Sequence, residues 1–242
     1  MLLKDQVAFI TGGANGMGKG IASMYAEHGA HVILADINDV QLKQTKQEIG
    51  EQSHVYGTVD ITDFQRVEQV VSEVIADFGQ IDILVNCAGG VLAAEGTSEN
   101  INMDDWQATI DLNLTGTMNV IRAVLPHMKQ KQSGKIINFS SMGAFNPYSV
   151  VLHYHAAKGG IESLTKNLAF ELAPKNIQVN VIAPGPILTP FWDNVMPPGP
   201  ERDALTDAIG KKEVPMGRIG TAKDIAGVAL FLGSSLSDFV TG

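Results

Sequence analysis

Six short apolar runs punctuate the chain: QVAFIT (6–11), HVILAD (31–36), HVYGTVD (54–60), DILVNCAG (82–89), KIINFSS (135–141) and IQVNVIAPG (177–185). Each is rich in Val and Ile and closes on Gly, Asp, Ser or Pro, as strands buried on both faces do before a turn. Between them the period changes. Gly18 to His28, Asp63 to Phe78 and Asp104 to Lys131 carry apolar residues at helical spacing. Strand and helix alternate without hairpin signals, which predicts right-handed crossovers and a parallel sheet with helices on both faces, a doubly wound α/β fold. With no repeat or low-complexity tract, residues 1–242 read as one domain. One segment breaks the rhythm: Pro184 to Ala204 holds six prolines, a Phe and a Trp. It leaves the carboxyl end of a strand, where open parallel sheets bind ligands, and reads as a lid.

Charge and composition narrow the partners. Lys and Arg number 17 against 26 Asp and Glu, a formal net charge of −9, which disfavours nucleic acid and anionic membranes. No apolar run reaches transmembrane length and the N-terminus lacks a signal-peptide pattern, so a soluble, cytoplasmic protein is expected. The single cysteine, Cys87, cannot form an intrachain disulfide and reads as a small buried hydrophobe.

The first strand runs into TGGANGMG, which also opens the first helix. Gly12, Gly16 and Gly18 permit a tight turn and let the backbone, with Asn15 and Met17 between them, approach a pyrophosphate at the helix N-terminus. This strand-to-helix setting makes the sheet Rossmann-type. The second strand ends at Asp36, whose carboxylate is suited to both hydroxyls of an adenosine ribose and repels a 2′-phosphate; neither Asn15, Ile37 nor Asn38 offers a cation to hold one. NAD is therefore the expected cofactor. Asp60 and Ile61, closing the third run, are candidates for the adenine edge, although Asp60 also reads as a helix cap.

HYHAAKGG (153–160) sets Tyr154 and Lys158 four residues apart, on one face of a helix. A Tyr-x-x-x-Lys spacing alone is a weak signal. His153 and His155, two apart, point to different sides of that helix, and no metal site is expected.

Taken in order, TGGANGMG, NCAGG, INFSS, YHAAK and APGPILT resemble the short-chain dehydrogenase/reductase family in its single-domain branch, over essentially the whole chain. The resemblance assigns Asn113, Ser141, Tyr154 and Lys158 to the active site, with Ser141 thirteen residues before Tyr154. A phenol with a pKa near 10 becomes a base at neutral pH only if its phenolate is stabilised, which the Lys158 ammonium does. Tyr154 then exchanges a proton with the substrate oxygen as hydride moves, while Ser141 holds that oxygen. In the family, Lys158 also grips the nicotinamide ribose and Asn113 positions a water connected to it. The resemblance further gives Asn86, Ala88 and Gly89 to the cofactor cleft, with Cys87 replacing an asparagine common there, and Pro184, Gly185, Ile187 and Thr189 to the carboxamide and diphosphate. Tyr148, Val151, Phe191, Trp192 and Met196 suggest an apolar substrate, a cyclic or aryl secondary alcohol or its ketone. Of these, Tyr148 and Trp192, with Ser141 and Tyr154, are the candidate substrate residues.

Relatives usually continue past DFVTG (238–242) into a further strand, so a last strand is expected to be missing from this chain. Small residues along the Tyr154 helix, Ala156, Ala157, Gly159 and Gly160, suit helix pairing, and a homo-oligomer, dimer or tetramer, is expected. Two other functions compete. A 3-oxoacyl-carrier-protein reductase would need a local basic patch, for which Arg122, Lys129 and Lys131 are candidates. A non-catalytic NAD-binding protein should have lost Ser141, Tyr154 or Lys158, and all three are present. A sugar-nucleotide epimerase is disfavoured by its different glycine spacing and longer chain.

Overall fold

The structure, a computed structural model, describes residues 1–92, 97–146, 151–194 and 196–242, without the side chains of Phe191 and Asn194. In chain order the elements are β1 (Val7–Thr11), α1 (Gly16–Glu27), β2 (His31–Ala35), α2 (Asp39–Ile49), β3 (Ser53–His54) and α3 (Phe64–Phe78). β4 (Ile83–Asn86), α4 (Met103–Ile110), α5 (Gly116–Lys131), β5 (Gly134–Phe139), α6 (Leu152–Leu172) and β6 (Ile177–Ile182) follow, then β7 (Ile187–Leu188), α7 (Pro200–Glu213), β8 (Gly220–Thr221) and α8 (Ala222–Gly233).

Six strands pair in parallel in the order β3-β2-β1-β4-β5-β6. The fold is thus the doubly wound Rossmann-type α/β sheet expected from the alternation of strand and helix. Side chains alternate across it. Val7 and Phe9 of β1 join a core with Val67, Val71, Val120, Val124 and Leu168 from α3, α5 and α6. Ala8 and Ile10 join a second core with Ile21, Tyr25, Leu42, Ala226 and Ala229 from α1, α2 and α8. Because both faces are covered, β1 is buried along its whole length, which is why it reads as an unbroken apolar run. Polar residues start the helices where capping demands them. Asn38, Asp63 and Asn102 each accept a backbone N–H at the start of α2, α3 and α4, and Thr221 forms a reciprocal capping box with Asp224 on α8.

Three segments depart from the pattern. HVYGTVD contributes only its first residue to β3; Gly57 turns the chain at φ 85°, and the Val59 N–H returns to the Asp36 carbonyl. The long helical stretch after Asp104 is interrupted at Asp111–Thr115 by a π turn between α4 and α5, the kind of irregularity that recurs at functional sites. The proline-rich segment is more ordered than a bare lid: Ile187–Leu188 pairs with Gly220–Thr221, Pro190–Asn194 forms a 3-10 turn, and α7 begins at Pro200. Among the described residues no helix is long and apolar enough to cross a membrane.

Candidate active site

Strand order reverses between β1 and β4, and such a switch point opens a crevice at the carboxyl ends of the strands. The glycine turn lies on one side of it. A side chain at Gly18 would collide with the Gly12 carbonyl, so the turn folds back on itself as tightly as the sequence implied. On the other side the Ala88 N–H donates to Thr11 Oγ1 at 3.1 Å, tying the loop after β4 to β1. Thr189 packs over Gly16, so the segment after β6 closes above the turn. Cys87, which follows β4, is half-buried against the second core rather than fully buried as expected, and the burial of its thiol pushes it up to about 12.

At the end of β2 the Asp36 carboxylate accepts the Ala14 N–H at 3.2 Å and the Asn38 N–H at 3.1 Å. Asn38, not Asp36, caps α2. Ile37 is exposed. Asp60 is also exposed, and its Oδ1 takes both the N–H and the hydroxyl of Thr62 at 2.8 Å; the cap of α3 is Asp63. Ile61 is buried in the core, its carbonyl accepting from Asn119, and the Met17 side chain packs on the opposite core.

Ser141 ends the β5 segment, buried, with its Oγ accepting the Gly143 N–H at 3.2 Å. Lys158 is 5% exposed and its Nζ donates to the Phe139 carbonyl at 2.9 Å, 5.6 Å from the centroid of the Tyr154 ring. Burial lowers the ammonium to about 8. Two of its three N–H bonds have no partner among the described residues, and it borders Gly89: a Cβ there would stand 3.3 Å from Nζ and 2.6 Å from Asn113 Oδ1. Gly89, at φ 152°, is thus held where only glycine fits.

Asn113 sits in the π turn, fully buried. Its Oδ1 accepts the Gly90 N–H at 3.0 Å, and its Nδ2 donates to the carbonyls of Gly90 at 2.8 Å and Thr109 at 3.0 Å. Its amide therefore stitches the loop after β4 to the helix opposite. On the far side, the Met142 N–H donates to the Pro184 carbonyl, Gly185 lies beside Met142, and Trp192 Nε1 donates to the Ile187 carbonyl at 2.8 Å. Tyr148 lies outside the described residues. His153 is buried in α6, and neither ring nitrogen has a hydrogen-bond partner among the described residues. Among those residues no three of His, Cys, Asp and Glu are grouped as a metal would require.

One feature escaped sequence reasoning. Asn86 Nδ2 donates to Asn138 Oδ1 at 2.9 Å, and Asn138 Nδ2 donates to Thr165 Oγ1 at 2.9 Å, linking β4, β5 and α6 through groups that are all buried. The Ser140 hydroxyl adds a bond to the Lys158 carbonyl at 3.1 Å. The only sequence signal was an Asn inside the apolar run KIINFSS.

The family model for short chain dehydrogenases matches residues 6–198. The chain is 36% identical over 247 residues to the 3-oxoacyl-(acyl-carrier-protein) reductase of Thermotoga maritima, covering 100% of this chain and 96% of the relative. It is 39% identical over 244 residues to the (2S)-((R)-hydroxy(phenyl)methyl)succinyl-CoA dehydrogenase subunit BbsD of Thauera aromatica, covering 100% and 94%. An NAD-dependent glycerol dehydrogenase of Listeria innocua is 35% identical over 243 residues, covering 99% and 91%. The sheet reversal, the glycine turn beside it and matches along nearly the whole length agree, and the chain belongs to the short chain dehydrogenase family of oxidoreductases.

Proposed function

We propose that this oxidoreductase interconverts a secondary alcohol and a ketone with NAD, and that Tyr154 moves the proton. The observation that carries the reading is the buried Lys158 ammonium, anchored on the Phe139 carbonyl one helical turn beyond Tyr154. A cation there favours the phenolate, and its remaining N–H bonds suit a ribose. In oxidation Tyr154 accepts the proton of the substrate hydroxyl; in reduction it returns one. Ser141 donates a hydrogen bond to the same oxygen as charge develops on it. Asn113 acts through Gly90, fixing the wall beside Lys158.

The chain's residues fit a dinucleotide. Gly12, Asn15, Gly16, Met17 and Gly18 would hold the diphosphate, Asp36 the adenosine ribose, Asp60 and Ile61 the adenine side, and Asn86, Ala88 and Gly89 the inner wall. Lys158 would hold the nicotinamide ribose, and Pro184, Gly185, Ile187 and Thr189 the carboxamide and diphosphate. When bound, NAD supplies the hydride acceptor. Asp36 favours it over the 2′-phosphorylated form, and the NAD-dependent relative supports that choice. The buried Val151 and half-buried Trp192 support an apolar substrate, and the hydroxy(phenyl)methyl group in one relative's name supports an aryl alcohol. We read residues 1–242 as one catalytic unit of a soluble cytoplasmic enzyme. Exposed Phe170, Phe231 and Leu236 support assembly as a dimer or tetramer.

The Thermotoga relative favours a second reading, reduction of a 3-oxoacyl group on a carrier protein. The patch that would meet an acidic carrier is internally satisfied, however: Lys129 pairs with Glu171, Lys131 with Asp82, and Arg122 stacks 4.0 Å above Phe64. The test is initial rates with NADH and NADPH over cyclic, aryl and oxoacyl ketones, for wild type and Tyr154→Phe. NADH should be preferred, and the variant should lose about a thousandfold. Equal rates for the two proteins would overturn the assignment of Tyr154. Comparable turnover of an acetoacetyl carrier protein with both nucleotides would install the second reading.

A further inference from the structure

The glycine turn and the end of β2 are joined by a closed circuit of hydrogen bonds. The Ala14 N–H and the Asn38 N–H donate to the two oxygens of Asp36, the Gln41 N–H donates to Asn38 Oδ1 at 3.1 Å, and Asn15 Nδ2 donates to Gln41 Oε1 at 2.7 Å. Ala14 and Asn15 are neighbours in the chain, so the ring closes on itself. Thr45, buried on α2, braces it through a 2.7 Å bond from its hydroxyl to the Ala14 carbonyl.

Asn15 occupies the N-cap position of α1 with an extended backbone, where an Asn side chain ordinarily accepts one of the first free N–H groups of the helix. It makes no such bond. Its carboxamide is turned to Gln41 instead, which leaves those N–H groups to an anion such as a diphosphate.

The same bond spans the gap between the turn and α2, beside Asp36. The circuit holds the Asp36 carboxylate and the neutral carboxamides of Asn15, Asn38 and Gln41 but no cation, and a phosphate dianion beside a carboxylate needs one. The lysines nearest in sequence are committed elsewhere: Lys19 to Glu48 at 2.6 Å and Lys43 to Asp39 at 2.6 Å. A ligand carrying a phosphate on the 2′ oxygen would have to part Asn15 from Gln41 and would stand beside the Asp36 carboxylate with neither lysine free to offset the repulsion. A ribose with a free hydroxyl would not.

We propose that Gln41 is a specificity-determining residue, which by holding Asn15 closes the ribose pocket against a 2′-phosphate and keeps the head of α1 open to the diphosphate. The inference rests on the NAD reading given above and assigns part of the discrimination to a residue outside the glycine turn and Asp36. Exclusion of the wrong ligand, more than attraction of the right one, is the physical basis.

The experiment compares wild type, Gln41→Met, Gln41→Lys and Asn15→Ala, each with NADH and NADPH and one ketone, alongside dissociation constants for 2′-AMP and 5′-AMP. Gln41→Met should lower the NADH-to-NADPH ratio of kcat/KM about tenfold, the scale of one interaction. Gln41→Lys should lower it further and tighten 2′-AMP more than 5′-AMP. Adding Asn15→Ala to Gln41→Met should change the ratio no further, because both remove one contact. A purely structural role would shift melting temperature and leave the ratio and the 2′-AMP preference where they were. Wild type that strongly prefers NADH, with an unchanged ratio in both Gln41 variants, overturns the assignment of Gln41 alone. Equal use of both nucleotides by wild type overturns the NAD reading, and with it this one, before any variant is compared.

Discussion

Replacing Asn138 by alanine tests whether the buried polar chain behind the site holds three elements in place. The substitution removes both bonds of the carboxamide, one from Asn86 and one to Thr165. Each is worth about 1 kcal/mol, and each orphaned buried group adds about 1 kcal/mol or more. Asn86 is left worse than before, since its Oδ1 already has no partner among the described residues. The sum is about 4 kcal/mol, which for a chain of this size lowers the melting temperature by about 8–16 °C. Thr165→Val removes only the hydroxyl and should cost about 1–2 kcal/mol. Urea denaturation followed by the fluorescence of Trp106 and Trp192 gives the free energies, and the double variant closes the cycle. Because the two changes break a common bond, their combined cost should fall short of the sum by about 1 kcal/mol. A loss below about 1 kcal/mol for Asn138→Ala, or strict additivity, would show that the chain of amides contributes nothing beyond packing.

Further outcomes follow from the titratable groups. Lys158 is held near 8 by burial, so it sheds its charge as pH rises through that value; kcat/KM for NADH should decline above about pH 8, and a flat profile to pH 10 would deny the ammonium a part in binding. His54 is held below its ordinary 6.5, first by burial and then by His31 and Lys46, against the opposing pull of Asp77. The unfolded chain therefore takes up the proton more readily, and stability should fall as pH drops from 6.5 through the lowered value, less so in His54→Gln when urea midpoints are compared. The Cys87 thiol, pushed up to about 12 by burial against the pull of Lys158, should react with a disulfide reagent at pH 8 at least about a hundredfold more slowly in the native protein than in urea. Fast native labelling would mean that the crevice opens widely.

The strands and the glycine turn were legible because their signals are local. An apolar run such as VAFIT is buried on both faces, and no neighbour has to be known to read it. β3 was overdrawn because Val55 and Val59 look like strand residues, whereas Gly57 and a single bond to Asp36 take the chain out of the sheet. The π turn was hidden for a related reason: DLNLT has ordinary helical composition, and its widening accompanies the bonds from Asn113 to a loop 23 residues earlier. From its neighbours alone Asp60 reads as either cap or ligand; Asp63 is the cap, and Asp60 gives only its Oδ1 to Thr62. Asn138 and Gln41 were invisible because their partners lie 27 to 52 and 26 residues away, and no periodicity reports such a pairing.

The strand order has a consequence for biosynthesis. β1 meets β2 after 24 residues, Val7 against His31, but its other neighbour is β4, and the Val7 N–H bonds the Asp82 carboxylate 75 residues further on. At ribosomal rates of about 5–20 residues per second, that second edge stays open for about 4–15 s after β1 is made. Throughout this interval a strand that is apolar from Val7 to Ile10 exposes unsatisfied N–H and C=O groups. The nascent half-sheet is therefore a stage at which this chain is open to aggregation and served by a chaperone, and the crevice between β1 and β4 can begin to form only once the chain has reached Asn86.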